Sequence, residues 1–285
     1  ATLVGKLSYK EPRPRLGAVL RACELRALVE LVKMQQASLE SLTLIAIDCP
    51  GTYNVSSYMK IDPSVRDHLW RELYEGAENN PQNPPVNLRS ACQICEQPVY
   101  SGAHIGIELF GSDLAAGIHL SLSQELAQKL GLAERIAENF SNQREDALRE
   151  LIAARTAHRE AEFSAIRARL EGNEGIQGVF AACIRCHNCM TVCPICYCKT
   201  CVFKSAVFDH EPMQYATWAR QKGAHRLPSD TLLFHLTRMN HMALSCVGCG
   251  MCTEACPAEL PVGLVFRAIS QRLQTIFDYA PGRNL

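Results

Sequence analysis

CIRCHNCMTVCP, residues 183–194, and SCVGCGMCTEACP, residues 245–257, are the two stretches that decide the fold of the carboxyl half of this chain. Each contains four cysteines separated by two, two and three residues, and a proline follows the last one. The cysteines are Cys183, Cys186, Cys189 and Cys193 in the first stretch, and Cys246, Cys249, Cys252 and Cys256 in the second. Two copies of one spacing are very improbable by chance, so the two stretches are expected to have the same kind of role.

The spacing predicts two 4Fe-4S centres. Gaps of two residues let three thiolates from one turn bind three corners of a cubane, while the fourth cysteine, at the start of a helix, points to the other cluster. We therefore expect one centre at Cys183, Cys186, Cys189 and Cys256, and the other at Cys246, Cys249, Cys252 and Cys193. Zinc is the alternative, but zinc sites favour two C-x2-C pairs over triplets followed by C-P.

The composition also indicates metal. Fifteen cysteines in 285 residues are poorly explained by disulfides, which reach this density in small secreted scaffolds. Lys plus Arg and Asp plus Glu number 29 each, so there is no basic field to attract nucleic acid. Because no apolar run approaches the length of a membrane span and the first residues lack a secretion signal, we expect a cytoplasmic location.

The amino half has the pattern of an α/β domain. A short apolar run at 18–20, helical spacing over 24–35 and a second apolar run at 42–47 predict a β-α-β unit. Residues 103–110 alternate as in a strand. The stretch 79–85, NNPQNPP, predicts a loop.

Three parts are expected along the chain. They are an α/β domain over 1–120, a helical connector over 121–178, and an α+β ferredoxin-like domain over 179–285 that contains two clusters and a helical insertion. The insertion includes a predicted helix over 229–243, and its apolar face is expected to carry Leu232, Leu233, Leu236 and Met239.

Seven cysteines lie outside the two motifs. Cys196, Cys198 and Cys201 have no evident partners, and they could be buried thiols near a cluster or ligands of something unpredicted. Cys23, Cys49, Cys92 and Cys95 form a sparser constellation in the amino half. Cys92 and Cys95 have ligand-like spacing, and the other two follow predicted strands, where an α/β sheet gathers functional groups. From spacing alone, a third cubane, a zinc site and unrelated buried cysteines have similar weight.

Five segments resemble the β-subunit family of the hydrogenases and formate dehydrogenases that use coenzyme F-420. They are GAVLRACELRALVEL (17–31), LIAIDCPGTY (44–53), ACQICEQPVYSGAHIGIELFGSD (91–113) and the two cysteine motifs. The resemblance spans about residues 16–113 and 183–279 and leaves the helical middle unmatched. It implies that Cys23, Cys49, Cys92 and Cys95 ligate a third 4Fe-4S cluster next to FAD.

The residues expected nearest a flavin are Gly51, Thr52, Gly111, Ser112 and Asp113. A plain turn after a strand is the alternative at these positions, and no GxGxxG fingerprint supports FAD independently. The resemblance implies an oxidoreductase subunit that passes single electrons between a flavin or deazaflavin site and a catalytic partner chain, in which the formate or hydrogen chemistry occurs. A further electron-accepting subunit is a second expected partner. The alternative is a flavin-free iron-sulfur relay that links two enzymes of a larger complex.

Overall fold

The computed structural model describes residues 1–9, 15–64, 66, 69, 74, 88–132, 140–223 and 230–283. The predicted loop at 79–85 lies outside the described residues. The chain divides into two compact units, of which the first comprises Ala1–Ala161, Val247–Cys249 and Pro281–Leu285 and the second comprises Glu162–Cys246 and Gly250–Ala280. The predicted mixture of α and β structure is confirmed, while the division at 120 and 178 stays a prediction. Among the described residues, no helix has the length and apolar character that a membrane span needs.

A four-stranded sheet organises the first unit. Helix α1 (Thr2–Ser8) is followed by strand β1 (Leu16–Arg21), helix α2 (Ala22–Lys33) and strand β2 (Leu42–Ile47). Short helices α3 (Val55–Tyr58) and α4 (Ser90–Gln93) precede strands β3 (Ile105–Glu108) and β4 (His119–Leu122). The strand order is β1-β2-β3-β4, with β1, β2 and β3 parallel and β4 antiparallel to β3. The predicted β-α-β unit and the predicted third strand are therefore confirmed.

The core of the first unit lies between the sheet and α2. Strand β1 buries Ala18 and Leu20 on one face, which is the period of two expected for a strand covered on one side. Helix α2 buries Leu25 and Leu28 against them, and Leu44 of β2 belongs to the same cluster. Two helices complete the described elements of this part of the chain, α5 (Gln124–Lys129) and the long α6 (Phe140–Glu171).

Helix α2 begins directly after β1. Arg21 is its N-cap, and the Arg21 backbone N–H donates to Glu24 Oε2 at 3.0 Å while its guanidinium donates to Glu24 Oε1 at 2.7 Å. The Glu24 carboxylate also interacts favourably with the positive end of the helix dipole. This junction places Cys23 in the first turn of α2, at the carboxyl end of β1. Since β1, β2 and β3 are parallel, the residues that follow each strand meet at this edge of the sheet.

The second unit is largely helical. After the end of α6 it contains α7 (Gly175–Val179), α8 (Asn188–Thr191), two 3-10 turns (Val202–Lys204 and Ala206–Phe208), α9 (Pro212–Lys222), α10 (Thr231–Met242), α11 (Met251–Glu254) and α12 (Val262–Ile276). Phe163, Phe180, Phe234 and Phe266 are buried in its core. The Gln274 side chain on α12 donates to the carbonyl oxygens of Ala243, Leu244 and Cys246 at 2.9–3.3 Å. These bonds fix the backbone at the start of the second cysteine motif.

The predicted helix over 229–243 forms as α10. Leu233 and Leu236 are 51% and 45% exposed. The buried face carries Phe234, His235 and Arg238, together with Met239 of the predicted apolar face. Sequence reasoning missed His235 and Arg238 because an apolar count assigns polar residues to solvent, whereas these two side chains meet the cysteine sulfurs described below.

The carboxyl end of the chain packs on α2 within the first unit. Gly282 has φ +78°, and its N–H donates to the buried Glu30 Oε1 at 2.8 Å. A Cβ at Gly282 would lie 2.3 Å from the Cγ of Arg26 and 2.6 Å from its Cα. The position therefore requires glycine for both conformation and space.

We predict that Gly282→Ala lowers the free energy of unfolding by about 2–4 kcal/mol, because it adds a left-handed alanine to a steric overlap with α2. Chemical denaturation followed by circular dichroism measures the change. Gly17→Ala is the matched control, since a Cβ there has no neighbour within 4 Å and the backbone is an ordinary strand. Equal stability of the two variants would contradict the prediction.

Candidate iron-sulfur sites

Four cysteines of the second unit line one cavity: Cys183, Cys186, Cys189 and Cys256. Cys183 and Cys186 lie in the loop that leads into α8, Cys189 lies in the first turn of α8, and Cys256 follows α11. The last cysteine of the second motif thus lies with the first three of the first motif. The rest of the cavity wall is mainly apolar and aromatic, with Ile184, Phe234, Leu260 and Val262 among its residues.

The loop of the first motif is held in a strained conformation. Arg185 and His187 have φ values of 57° and 59°, in the left-handed region, and the corresponding residues of the second motif are Gly248 and Gly250, with φ 68° and 70°. A non-glycine residue in this region costs roughly 1–2 kcal/mol. The side chains compensate through contacts that glycine could not make.

Arg185 and His187 each have a partner in the second unit. Arg185 forms an ion pair with Asp230 and donates to the Tyr215 hydroxyl at 2.7 Å. The His187 ring lies 4.6 Å from the Phe234 ring. Both side chains therefore attach the cysteine loop to the insertion between the motifs.

Two sulfurs of this set are in contact with polar side chains of α10. Arg238 is 3% exposed; its Nη1 donates to Cys189 Sγ at 3.0 Å and its Nη2 to the Cys189 carbonyl oxygen at 3.0 Å. The guanidinium also lies over the rings of Phe234 and Phe266, at 5.6 and 4.9 Å. His235 Nε2 lies 3.3 Å from Cys183 Sγ. The inner face of α10 therefore provides one buried positive charge and one imidazole to the sulfurs.

Burial sets the ionisation of these groups. Burial and the positive charge of Arg238 together lower the pKa of His235 to about 4, so the imidazole is neutral at neutral pH. Burial raises the pKa of Cys189, and Arg238 opposes that rise because its charge favours the thiolate. Arg238 is therefore a cation that favours a negative sulfur at Cys189.

A second set of cysteines is assembled in the same unit. Burial and the nearby Cys246 thiolate together raise the pKa of Cys193 and of Cys252 to about 12, so the three thiols are neighbours. The Cys189 thiolate also raises the pKa of Cys252, which places the two sets beside each other. Cys249 is half-buried and belongs to the short segment Val247–Cys249 that is grouped with the first unit.

The carboxyl edge of the sheet gathers the cysteines of the first unit. Burial, with smaller contributions from the thiolates of Cys49 and Cys95, raises the pKa of Cys23 to about 12. Burial also raises the pKa of Cys49, with added contributions from Cys92 and Cys95. The Cys49 N–H donates to the Pro98 carbonyl at 2.9 Å. The four predicted ligands therefore lie close together, although their role as ligands stays a prediction.

Arginines of helix α6 contact the carboxyl edge of the sheet. Arg155 is buried and donates to the carbonyl oxygens of Pro50 and Cys95, so it joins the two cysteine loops. Arg144 forms an ion pair with Asp48, whose Oδ2 also accepts the N–H groups of Leu109 and Phe110 at 2.9 and 3.1 Å. Sequence reasoning missed both arginines because they stand in a charged helical run that resembles a solvated face.

The five residues predicted near a flavin fall into two places. Gly51 and Thr52 lie beside Cys92, with Thr52 Oγ1 3.5 Å from Cys92 Sγ. Gly111 has φ +73°, and a Cβ there would lie 2.7 Å from the backbone nitrogen of Arg144. Ser112 Oγ donates to the Glu108 carbonyl, and Asp113 Oδ1 accepts from the Ala115 N–H.

These observations define an iron-sulfur electron-transfer protein. Residues 179–260 match the family model described as "4Fe-4S dicluster domain". In the described part of the chain, no three His, Cys, Asp or Glu side chains meet closely enough to hold a single metal ion.

Two curated proteins are similar over nearly the whole chain. The β subunit of the F420-dependent formate dehydrogenase of Methanocaldococcus jannaschii is 24% identical over 314 residues, 99% of this chain and 77% of that protein. The β subunit of F420-dependent formate dehydrogenase 1 of Methanococcus maripaludis is 25% identical over 313 residues, with coverages of 94% and 73%. The chain is thus a homologue of oxidoreductase β subunits, and the predicted resemblance is confirmed. The similarity extends through the helical middle, which the sequence segments had left unmatched.

We predict that Arg238→Met lowers a reduction potential of the 4Fe-4S centres on the order of 100 mV, because it removes a buried positive charge that favours the added electron. Redox titration followed by electron paramagnetic resonance measures the shift. Arg272→Met is the matched control, since Arg272 is an exposed cation of the same unit, paired with Glu171. Unchanged potentials in Arg238→Met, at unchanged iron content, would contradict the role assigned to Arg238.

Proposed function

We propose that this chain is the electron-transfer subunit of an oxidoreductase complex of the formate dehydrogenase or hydrogenase type. It would pass single electrons between a flavin or deazaflavin site and a catalytic partner chain, where formate or hydrogen reacts. The single observation that supports this best is the cavity where Cys183, Cys186, Cys189 and Cys256 meet, with Arg238 bonded to one sulfur. The names of the two relatives support the reaction class.

Two 4Fe-4S centres are assigned to the two cysteine motifs of the carboxyl half. Cys183, Cys186, Cys189 and Cys256 would hold one, and Cys246, Cys249, Cys252 and Cys193 the other. A 4Fe-4S centre supplies one-electron transfer when it is bound. Phe234 and Val262 supply apolar walls to the first cavity, and Arg238 places its charge beside Cys189.

A third 4Fe-4S centre is proposed at Cys23, Cys49, Cys92 and Cys95. Their mutual proximity at the carboxyl edge of β1 and β2 supports this assignment. Arg21 lowers the pKa of both Cys23 and Cys49, which favours the thiolate form that iron binds. Arg155 fixes the loops that carry Cys49 and Cys95 through their carbonyl oxygens.

FAD is proposed beside this third site, where the described residues fit it in part. Gly51 and Thr52 are adjacent to Cys92 and could contact a flavin there. When bound, FAD would exchange a two-electron hydride equivalent for single electrons. Gly111, Ser112 and Asp113 are already engaged within the chain, because Gly111 packs on the α6 backbone and the other two bond to their own turn.

That internal engagement favours the second candidate function, a flavin-free relay that links two enzymes of a larger complex. In this case the chain binds iron-sulfur centres and performs no hydride chemistry. The three-part layout, with the helical connector at 121–178, is common to both proposals. The two functions differ in one cofactor, so the composition of the isolated protein separates them.

We expect about twelve irons and about twelve acid-labile sulfides per chain, together with one FAD, after anaerobic purification. Iron, sulfide and flavin are quantified on the same sample. About twelve irons without flavin would favour the relay. About eight irons would contradict the third centre and leave the two of the dicluster domain.

Cys92→Ser is expected to lower the iron content by about four per chain, because a serine hydroxyl replaces one thiolate of the third centre. Cys198→Ser is the matched control, since Cys198 is an exposed cysteine outside the three proposed ligand sets. Iron analysis and the absorbance near the charge-transfer band measure both variants. Equal iron content in Cys92→Ser and the unmodified protein would refute the third site.

A further inference from the structure

Three cysteines that no proposed centre uses lie together in the second unit. Cys196, Cys198 and Cys201 line one open cavity of about 320 Å³. Met190, Lys199 and Lys204 line it as well. The cavity therefore combines thiols with positively charged side chains and is accessible from solvent.

The thiols are close to one another. Burial raises the pKa of Cys196, and the thiolates of Cys198 and Cys201 raise it further, as negative neighbours do. Cys201 Sγ lies 3.5 Å from the Met190 sulfur. The chain bends at residues 199 and 200, between Cys198 and Cys201. Cys198 and Cys201, on either side of this bend, line the same cavity. Their C-x2-C spacing is typical of thiol-disulfide chemistry.

The three thiols differ in access. Cys198 is exposed, whereas Cys196 and Cys201 are half-buried. A dissolved disulfide can reach an exposed thiol first. A half-buried neighbouring thiol can then attack the mixed disulfide that forms. Lys199 follows Cys198 directly. Lys204 lies one turn after Cys201, and the Lys204 N–H donates to the Cys201 carbonyl oxygen at 2.9 Å.

The two lysines define the charge of the ligand. Cations on a cavity wall raise the local concentration of anions. A neutral or cationic disulfide gains nothing from them. The class of ligand that fits is a low-molecular-weight disulfide with carboxylate or phosphate groups.

We propose that Cys198 and Cys201 form a redox-active dithiol that reduces a small anionic disulfide. This activity is separate from electron transfer through the iron-sulfur centres and does not depend on it. This activity gives a chemical role to two cysteines that lie outside the cluster motifs.

The exchange proceeds in two substitutions. The Cys198 thiolate attacks one sulfur of the disulfide, so a mixed disulfide forms, the original S–S bond breaks and the first thiolate leaves and takes up a proton. The Cys201 thiolate then attacks Cys198 Sγ, forms the Cys198–Cys201 disulfide and releases the second thiol. The protein loses two electrons and two protons, and the small disulfide gains them as two thiols.

The test uses the full chain with its iron-sulfur centres, purified anaerobically and incubated with oxidised glutathione, which is anionic, or with cystamine, which is cationic. After acid quenching and alkylation, mass spectrometry of peptides identifies the bonded cysteines. We expect a Cys198–Cys201 disulfide, glutathione released in the ratio of two thiols per chain, and a rate roughly tenfold higher with glutathione disulfide than with cystamine. Iron content should not change during the reaction.

Variants separate the steps. Cys201→Ser should trap glutathione on Cys198, Cys198→Ser should abolish the reaction, and Cys196→Ser should retain it. A double variant, Lys199→Ala with Lys204→Ala, should lose the preference for the anionic disulfide but keep its iron. Circular dichroism and iron analysis show that each variant is folded.

Three results would overturn the proposal. They are the absence of a Cys198–Cys201 bond after reaction, equal rates with the two disulfides, and oxidation that appears only after iron is lost. The last result would mean that the reacting thiols are cluster ligands. Iron content and thiol exchange are measured separately, so a failure here leaves the proposed electron-transfer function untouched.

Discussion

The burial of sulfur that must become negatively charged is the constraint on which the rest of the structure depends. Burial raises the pKa of Cys23, Cys193 and Cys252 to about 12, so at neutral pH these thiols are protonated in the absence of metal. Iron binds the thiolate, and a buried negative charge is unfavourable unless a cation or donor compensates it. Arg238 in the second unit and Arg21 in the first unit are placed to do so. Cluster insertion is accordingly coupled to the loss of protons.

The two cysteine motifs have equal spacing but meet the backbone requirement of the loop differently. The second uses Gly248 and Gly250 at the left-handed positions, which costs little. The first uses Arg185 and His187 there and stabilises the conformation through Asp230, Tyr215 and the ring of Phe234. Backbone strain that persists in this way is usually found at functional positions. The first motif is thereby attached to the insertion that separates the motifs in sequence, which explains why the insertion is part of the site and not an appendage.

Sequence patterns predicted the elements whose signal is local. The runs at 18–20 and 42–47 and the helix between them fixed a parallel pair, and the parallel pair predicts that Cys23 and Cys49 approach each other. The cysteine spacing likewise predicted 4Fe-4S binding. The arginines that bond to a cysteine sulfur and to the cysteine loops were not predictable. Arg238 and Arg155 are assigned to the surface when burial is inferred from apolar periodicity, although both are buried. Their buried positions follow from tertiary contacts with sulfur and carbonyl groups that lie far away in the sequence.

Arg238 breaks the symmetry between the two cysteine sets of the second unit. Its charge lowers the pKa of Cys189, Cys193 and Cys252, so its field reaches both sets. The direct hydrogen bond, however, goes to Cys189 alone, and His235 contacts Cys183 of the same set. Positive charge and hydrogen bonds at sulfur favour the reduced form of an iron-sulfur centre, and the effect weakens with distance. The two proposed centres should therefore differ in potential, with the electron resting preferentially at the set that contains Cys183 and Cys189. In that proposed arrangement, the side chains of α10 would create a difference in potential without any difference in the ligands themselves.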